Sequence, residues 1–296
     1  DQFASRITWY VNSAPEFFEE VAKFRTIRRM WARLFREHYG AKDERSWQAR
    51  MHCQTYAPTF TRVQPFNNLI RGAIYGMAAV MGGVQSLHIN SFDEPFAIPT
   101  ELSAALSVRT QQIINYETGI TSVVDPLGGS YYIEALTEKW EEEAQGIVVK
   151  IQGMGGADRA YEWMKAEVRK GAEEWQRDLD SGKKVLVGAN WFIDWDDIQL
   201  KAFEAMQERE GLEALTEYDP SIRDKQIARL NKVRRERNNQ KLEKAKKVLS
   251  DVIIADENIL PPLIEAVKCY MSQGEWSRLW EEATGKPLSS ESCFLG

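Results

Sequence analysis

Two hydrophobic periods alternate along the first 130 residues. Residues 6–11, 49–55 and 84–91 are rich in β-formers and alternate side-chain character at every second position, the period of a strand. Residues 15–39 instead place Phe17, Val21, Phe24, Ile27, Met30, Trp31 and Leu34 at a helical spacing. Ser13-Ala14-Pro15-Glu16 reads as the cap of that helix and Gly40 as its stop. Residues 67–80, closed by Gly82-Gly83, and residues 100–118 read as second and third helices. Strand and helix in strict alternation predict an α/β fold with parallel strands and helices packed outside them. Three such units fit a doubly wound sheet or the C-terminal part of a (β/α)8 TIM barrel. Three strands cannot close a barrel, and an open edge is a liability, so the barrel reading calls for further strands upstream.

Beyond Tyr132 the pattern becomes helical. Residues 137–154 and 157–179 read as helices and 184–187 as a short strand. A long helix is predicted over 219–252, with Asp219 as cap and Pro220 in first position. Residues 261–272 and 274–284 read as a helical hairpin. The expected organisation is an α/β part over 1–135, a helical region with a short strand packed on it over 136–218, and a helical extension with a hairpin over 219–296.

Charge and composition narrow the class. A formal net charge of −6 argues against a dedicated nucleic-acid binder, since a phosphate surface selects for basic residues. Eleven Lys and Arg residues fall between Arg223 and Lys247. They read as a surface for an anionic partner or as the solvated face of a charged helix, and the acidic balance of the chain favours the second. Cys53, Cys269 and Cys293 are odd in number and widely spaced, which points to a reducing, cytoplasmic setting rather than a disulfide framework. No apolar run approaches the roughly 20 residues of a membrane span. The start, Asp1-Gln2-Phe3-Ala4, is neither a signal peptide nor an initiating Met, and reads as a start inside a longer protein.

The strand faces carry the candidate chemistry. Arg6, Thr8 and Tyr10 share one face of the first predicted strand. In the second, Arg50, His52 and Gln54 oppose Met51 and Cys53; in the third, Ser86, His88 and Asn90 oppose Leu87 and Ile89. An ordinary barrel interior is filled with branched apolar side chains, and unpartnered buried polar groups each cost a few kcal/mol, about 1–3 by mutational measures. Three polar faces in succession therefore point to an interior lined for a polar ligand. Sites in parallel α/β folds gather at the C-terminal strand ends, where Asp93 and Glu94 lie. These two fit a general-base pair, a helix cap or acceptors for a cofactor, and pattern does not choose. The turn Asp125-Pro126-Leu127-Gly128-Gly129-Ser130 offers backbone N–H groups to an anion, a weak signal by itself. The sequence holds no P-loop, dinucleotide fingerprint or zinc-helix motif.

Four motifs then stand in a telling order: Met51-His52-Cys53-Gln54-Thr55, Pro65-Phe66-Asn67-Asn68, the run from Gly82 to Glu94 (GGVQSLHINSFDE), and Asp125-Pro126-Leu127-Gly128-Gly129-Ser130-Tyr131-Tyr132. Together they resemble the methylmalonyl-CoA mutase family, with its isobutyryl-CoA and 2-hydroxyisobutyryl-CoA relatives. The resemblance is clear over residues 3–192 and weaker over 258–285. It implies that the three strands are the sixth to eighth of a TIM barrel whose axis receives the CoA chain of an acyl-CoA substrate. It also implies adenosylcobalamin across the C-terminal mouth, held by a separate cobalamin-binding domain or small subunit in a hetero-oligomer or homo-oligomer. By the resemblance, Arg6, Thr8, Arg45, Arg50, Gln85 and Ser86 contact the acyl-CoA. Guanidinium groups suit its phosphates and short polar groups its pantetheine amides. His52 and Gln54 lie near the acyl group and corrin, and Glu94 and Pro95 face the cobalamin. The implied activity is a radical 1,2-rearrangement of the acyl carbon skeleton.

The chain departs from the family pattern in four places. Thr8 and Arg45 stand where Ser and Lys are common. Pro95 stands where a small residue is usual, and Tyr56-Ala57-Pro58-Thr59-Phe60 replaces a Ser-Gly-containing loop. The last difference keeps isobutyryl-CoA and 2-hydroxyisobutyryl-CoA open as substrates beside methylmalonyl-CoA. The family's general-acid Tyr-His pair and its cobalt-ligating D-x-H-x-x-G motif are absent, and His38, His52 and His88 are the only histidines. His38 reads as structural at a helix end and His88 as support within its strand. The expectation is a mutase portion inactive as an isolated chain, against the alternative of a non-catalytic half-barrel binding or assembly module.

Overall fold

Strands β1 (Trp9–Ser13), β2 (Met51–Thr55) and β3 (Ser86–His88) form one parallel sheet in chain order. The structure is a computed structural model that describes residues 1–96, 98–194, 196–210 and 220–285. Contacts divide the chain into residues 1–216 and 217–296. In the first unit, α1 (Phe17–Arg33) and α2 (Asn67–Met81) make the two crossovers, and α3 (Glu101–Glu117) follows β3. The strand–helix alternation and parallel pairing therefore appear as the sequence predicts.

Apolar alternation decides which way the sheet faces. Met51 and Cys53 point from β2 into a cluster with Phe24 of α1 and Ala79 of α2, edged by Val11, Ile27, Val84 and Leu87. Helix α2 lies tight against the chain after β3 because it carries Gly72 and Gly76 there. A Cβ at either position would come within 2.9 and 2.8 Å of the Ile89 side chain.

Several boundaries differ from the pattern. Residues Ala4–Arg6 form a 3-10 turn, closed by Ile7 N–H donating to the Ala4 carbonyl, because Ala4 is drawn into a cluster with Trp31 and Phe35. Arg6 therefore leaves the strand and does not share a strand face with Tyr10. Ser13 does not cap α1: it is the buried last residue of β1, and its hydroxyl donates to the Tyr75 carbonyl at 2.8 Å. Glu16, at φ +75°, makes the turn into the helix instead. In place of the strand predicted at 184–187, only an isolated bridge joins Val187 to Trp191.

Helices α4 (Tyr131–Gly153), α5 (Ala157–Asp180) and α6 (Ile198–Glu210) complete this unit. Helix α4 is fastened to α1 by charge. Arg25 donates to Asp125 (2.9 and 3.1 Å), to Glu134 (2.7 and 3.3 Å) and to Thr137 (2.8 Å). Arg29 and Arg33 pair with Glu141 on the next turns.

The second unit contains α7 (Pro220–Glu236), α8 (Asn239–Ile254), α9 (Leu260–Lys268) and α10 (Gln273–Thr284). The single long helix expected over 219–252 is broken at Arg237-Asn238; the cap expected at Asp219 lies outside the described residues. Asn238 accepts from Lys241 N–H at 3.0 Å and caps α8 afresh. The new direction lets Leu242, Leu249 and Ile253 pack with Ala266, Met271 and Leu279. Among the described residues, no helix is long and apolar enough to cross a membrane.

Candidate functional site

Parallel register turns three separate polar alternations into one surface. Tyr10, His52 and Ser86 lie side by side across the sheet, with Asn12, Gln54 and His88 one step further on. The His52 Nδ1 and the Ser86 hydroxyl are 2.7 Å apart. The Tyr10 hydroxyl donates to Gln54 Oε1, and Gln54 Nε2 donates to Asn90 Oδ1 at 2.8 Å. The Tyr10 and His52 rings lie 5.3 Å apart. Tyr10 with Gln54 and Asn90, and His52 with Ser86, thus hold one another's orientation across strands. Cys53, on the opposite face, is the contrast: burial pushes its thiol up to about 12, so it is an inert core group.

At the C-terminal end of β3 the two acidic residues separate in role. Asp93 is buried and accepts from the Thr100 N–H (3.1 Å) and hydroxyl (2.9 Å). Thr100 in turn caps α3 by accepting from Ser103 N–H at 3.2 Å. Asp93 therefore fastens the loop to the helix through one carboxylate oxygen. Glu94 is more open; it accepts from Ser91 N–H at 2.9 Å and lies 3.8 Å from His88 Nε2. Pro95 follows it in the same turn, half-buried. The Asp125–Ser130 turn is structural as well. Its Gly129 N–H, a candidate anion donor, is taken by Glu134 at 2.8 Å.

This rim is braced by a segment that carries no signature in the sequence. Gln64 donates its N–H to Asp197 at 2.6 Å and its side-chain amide to the Phe192 carbonyl at 2.9 Å. Gln199 donates to Asn67 at 3.0 Å. Buried Phe203 of α6 packs against Phe66, Phe92 and Phe96. The loops after β2 and β3 are thus tied down from more than 100 residues away in the chain.

At the N-terminal strand ends lies a cavity of about 490 Å³ lined by Arg28, Ala32, Trp47, Arg50 and Gln85 among others. Two of the predicted CoA contacts, Arg50 and Gln85, meet there. Arg50 donates to the Ser5 carbonyl at 2.5 Å. Gln85 accepts from Met51 N–H at 2.7 Å and donates to the Gly83 carbonyl at 2.8 Å, so it also fixes the start of the strand pairing. Arg45, Arg6 and Thr8 are exposed and do not line this cavity. Arg45 is held by Asp43 at 2.8 Å, and its guanidinium keeps the Asp43 carboxyl below its usual range. Arg28 and Trp47 were not legible as site residues, because each sits in a helical or loop context that reads as packing.

Comparison with known proteins agrees with this arrangement. The methylmalonyl-CoA mutase family model matches residues 1–286. The large subunit of 2-hydroxyisobutanoyl-CoA mutase from Aquincola tertiaricarbonis is 37% identical over 283 residues, covering 93% of this chain and 47% of that protein. Methylmalonyl-CoA mutase from Rhizobium meliloti is 35% identical over 288 residues, covering 96% and 39%. The mitochondrial methylmalonyl-CoA mutase of Homo sapiens is 33% identical over 299 residues, covering 100% and 38%. The chain spans less than half the length of each of these relatives. With the motifs in place on a parallel sheet and the family model matched over nearly the whole sequence, the chain belongs to the methylmalonyl-CoA mutase family.

Proposed function

We propose that this chain supplies the acyl-CoA-binding wall and part of the cofactor-facing rim of an adenosylcobalamin-dependent acyl-CoA mutase, an isomerase of carbon skeletons. The observation that carries the reading is the in-register polar face Tyr10–His52–Ser86 and Asn12–Gln54–His88. An ordinary parallel sheet buries apolar side chains on both faces, whereas this one offers donors and acceptors to a long polar ligand. In this reading the strands are the sixth to eighth of a (β/α)8 barrel over residues 1–135. Residues 136–218 pack on the barrel, and 219–296 form an extension.

Within that frame, Arg50 and Gln85 bind the phosphate-bearing end of CoA, and Ser86 with Thr8 the pantetheine amides. Arg6 and Arg45 add positive charge from exposed positions. His52 and Gln54 orient the acyl group, each held by a strand neighbour. The C-terminal rim also fits the amide-rich edge of a corrin. Gln54, Glu94 and the Pro95 turn lie there, and Asn90 has a buried Nδ2 without a partner among the described residues. Adenosylcobalamin, when bound, supplies the radical chemistry; the chain's residues position the substrate and keep water from it. The cobalt ligand comes from a separate domain or subunit.

Methylmalonyl-CoA/succinyl-CoA interconversion is the first reading of the substrate. An isobutyryl-CoA or 2-hydroxyisobutyryl-CoA type is favoured by one feature: the 3-10 turn Ala57–Thr59, entered from Tyr56, replaces the family's usual loop beside the site. The test uses the complete protein that contains this sequence, mixed with a cobalamin-binding partner. Acyl-CoA-dependent change in cobalamin absorbance and product formation from one of these substrates are expected. Acyl-CoA binding without turnover identifies a non-catalytic module, and absence of acyl-CoA binding refutes the proposal.

A further inference from the structure

We infer that Arg28 is an additional substrate-binding residue: with Arg50 it clamps a phosphate of the nucleotide end of acyl-CoA in the cavity between α1 and the N-terminal edge of the sheet. The inference rests on the acyl-CoA reading above and deepens it.

Arg28 differs from the other arginines on its helix. Arg25, Arg29 and Arg33 are each tightly paired with acids of α4 or the turn before it. Arg28 has only a loose pairing, 4.0 Å from Asp125, whose carboxylate already accepts two bonds from Arg25. Its Nε is buried with no hydrogen-bond partner. Burial lowers the pKa of this guanidinium, and Asp125 offsets that only in part. A guanidinium kept so poorly compensated is costly unless something else neutralises it.

The chain makes room for the group. Gly83, at φ +83°, lies against it, and a Cβ there would sit 3.0 Å from Cζ and Nη1. Arg28 lines this cavity together with Arg50, Gln85 and Trp47. Among the described residues no carboxylate lines that cavity. Two arginines on the wall of one space that no acid lines favour an anion there. Arginine forks match phosphate geometry, and Trp47 beside them offers an aromatic residue to a nucleotide. The cavity lies at the strand ends opposite the rim that carries Glu94, and Arg50, two residues before His52, connects it to the start of β2.

The test uses the complete assembled enzyme with three substrates: acyl-CoA, acyl-dephospho-CoA and acyl-pantetheine. Arg28→Gln is expected to raise KM for acyl-CoA about tenfold or more while leaving kcat within a factor of about two. KM for acyl-pantetheine, which lacks the nucleotide, should not move. Arg28→Lys, which keeps the charge and the packing stem, should fall between wild type and Arg28→Gln and controls for folding. If acyl-dephospho-CoA behaves as acyl-pantetheine does, the clamp holds the 3′-phosphate; if it behaves as acyl-CoA does, the clamp holds the diphosphate. Equal losses on acyl-CoA and acyl-pantetheine, or no change on either, overturn the inference and leave the mutase reading standing. Failure of the wild-type enzyme to bind any acyl-CoA removes both.

Discussion

Replacing Glu275 by Gln should unfasten the C-terminal helical unit. Glu275 receives two bonds from the Arg237 guanidinium, at 2.7 and 2.5 Å, with side chains only 7% and 13% exposed for Arg237 and Glu275. The same carboxylate accepts from the Ser272 N–H (2.9 Å) and hydroxyl (2.6 Å), closing the capping box of α10. Arg237 also reaches the Tyr270 carbonyl, so this contact set ties the break between α7 and α8 to the start of α10. Gln keeps the size and one acceptor, and removes the charge. A buried arginine is left uncompensated, which costs about 3–5 kcal/mol when the pair is fully enclosed. The slight exposure of Glu275 puts the expected loss near the lower limit, about 3 kcal/mol. That corresponds to roughly a hundredfold loss of protection in amide hydrogen exchange across α8 to α10. Glu275→Ala should lose about 1 kcal/mol more through the cap. Arg237 also holds the carboxyl well below its ordinary value of 4.5. Because the folded value is depressed, the stabilisation is fully present above about 4.5 and is lost as pH falls below it toward the folded value. The gap between wild type and Glu275→Gln should therefore narrow below about pH 4.5. Unchanged exchange rates in Glu275→Gln at pH 7, or a gap that widens in acid, would refute the reasoning.

Cys53 should resist alkylation in the folded chain at pH 8, because burial pushes its thiol up to about 12; modification of Cys53 in folded protein, read by mass spectrometry, contradicts this. Gly82→Ala should destabilise by about 1–3 kcal/mol in urea titrations, since the added Cβ lands 2.5 Å from the Phe24 ring and 2.8 Å from its Cβ. A neutral outcome there shows that Phe24 has room to move. Asp93→Ala should speed hydrogen exchange at the start of α3 about tenfold through loss of the bonds to Thr100, and exchange confined to other segments counts against the fastening role. In the complete enzyme, Gln85→Ala should raise KM for acyl-CoA several-fold, and unchanged kinetics removes Gln85 from the site.

The sequence by itself determined what depends on short-range periodicity. Alternation at every second residue gave β2 its two unlike faces, His52 and Gln54 against Met51 and Cys53, and that pattern survives packing because one face must bury apolar surface. The motif order determined the family for the same reason: those residues are contiguous in the chain. Tertiary structure alone decided where long-range partners redirect local preferences. Ser13 looks like a cap until Tyr75, 62 residues on, claims its hydroxyl. The helix over 219–252 looks continuous until Glu275 draws Arg237 aside and Asn238 starts a new one. Asp93 and Glu94 are neighbours of one chemistry in the sequence, and burial beside Thr100 ties only the first to α3. Arg28 is one of several arginines on a helix; the choice of which arginine is left with only a loose pairing depends on how α4 docks, through contacts more than 100 residues apart that no local pattern encodes.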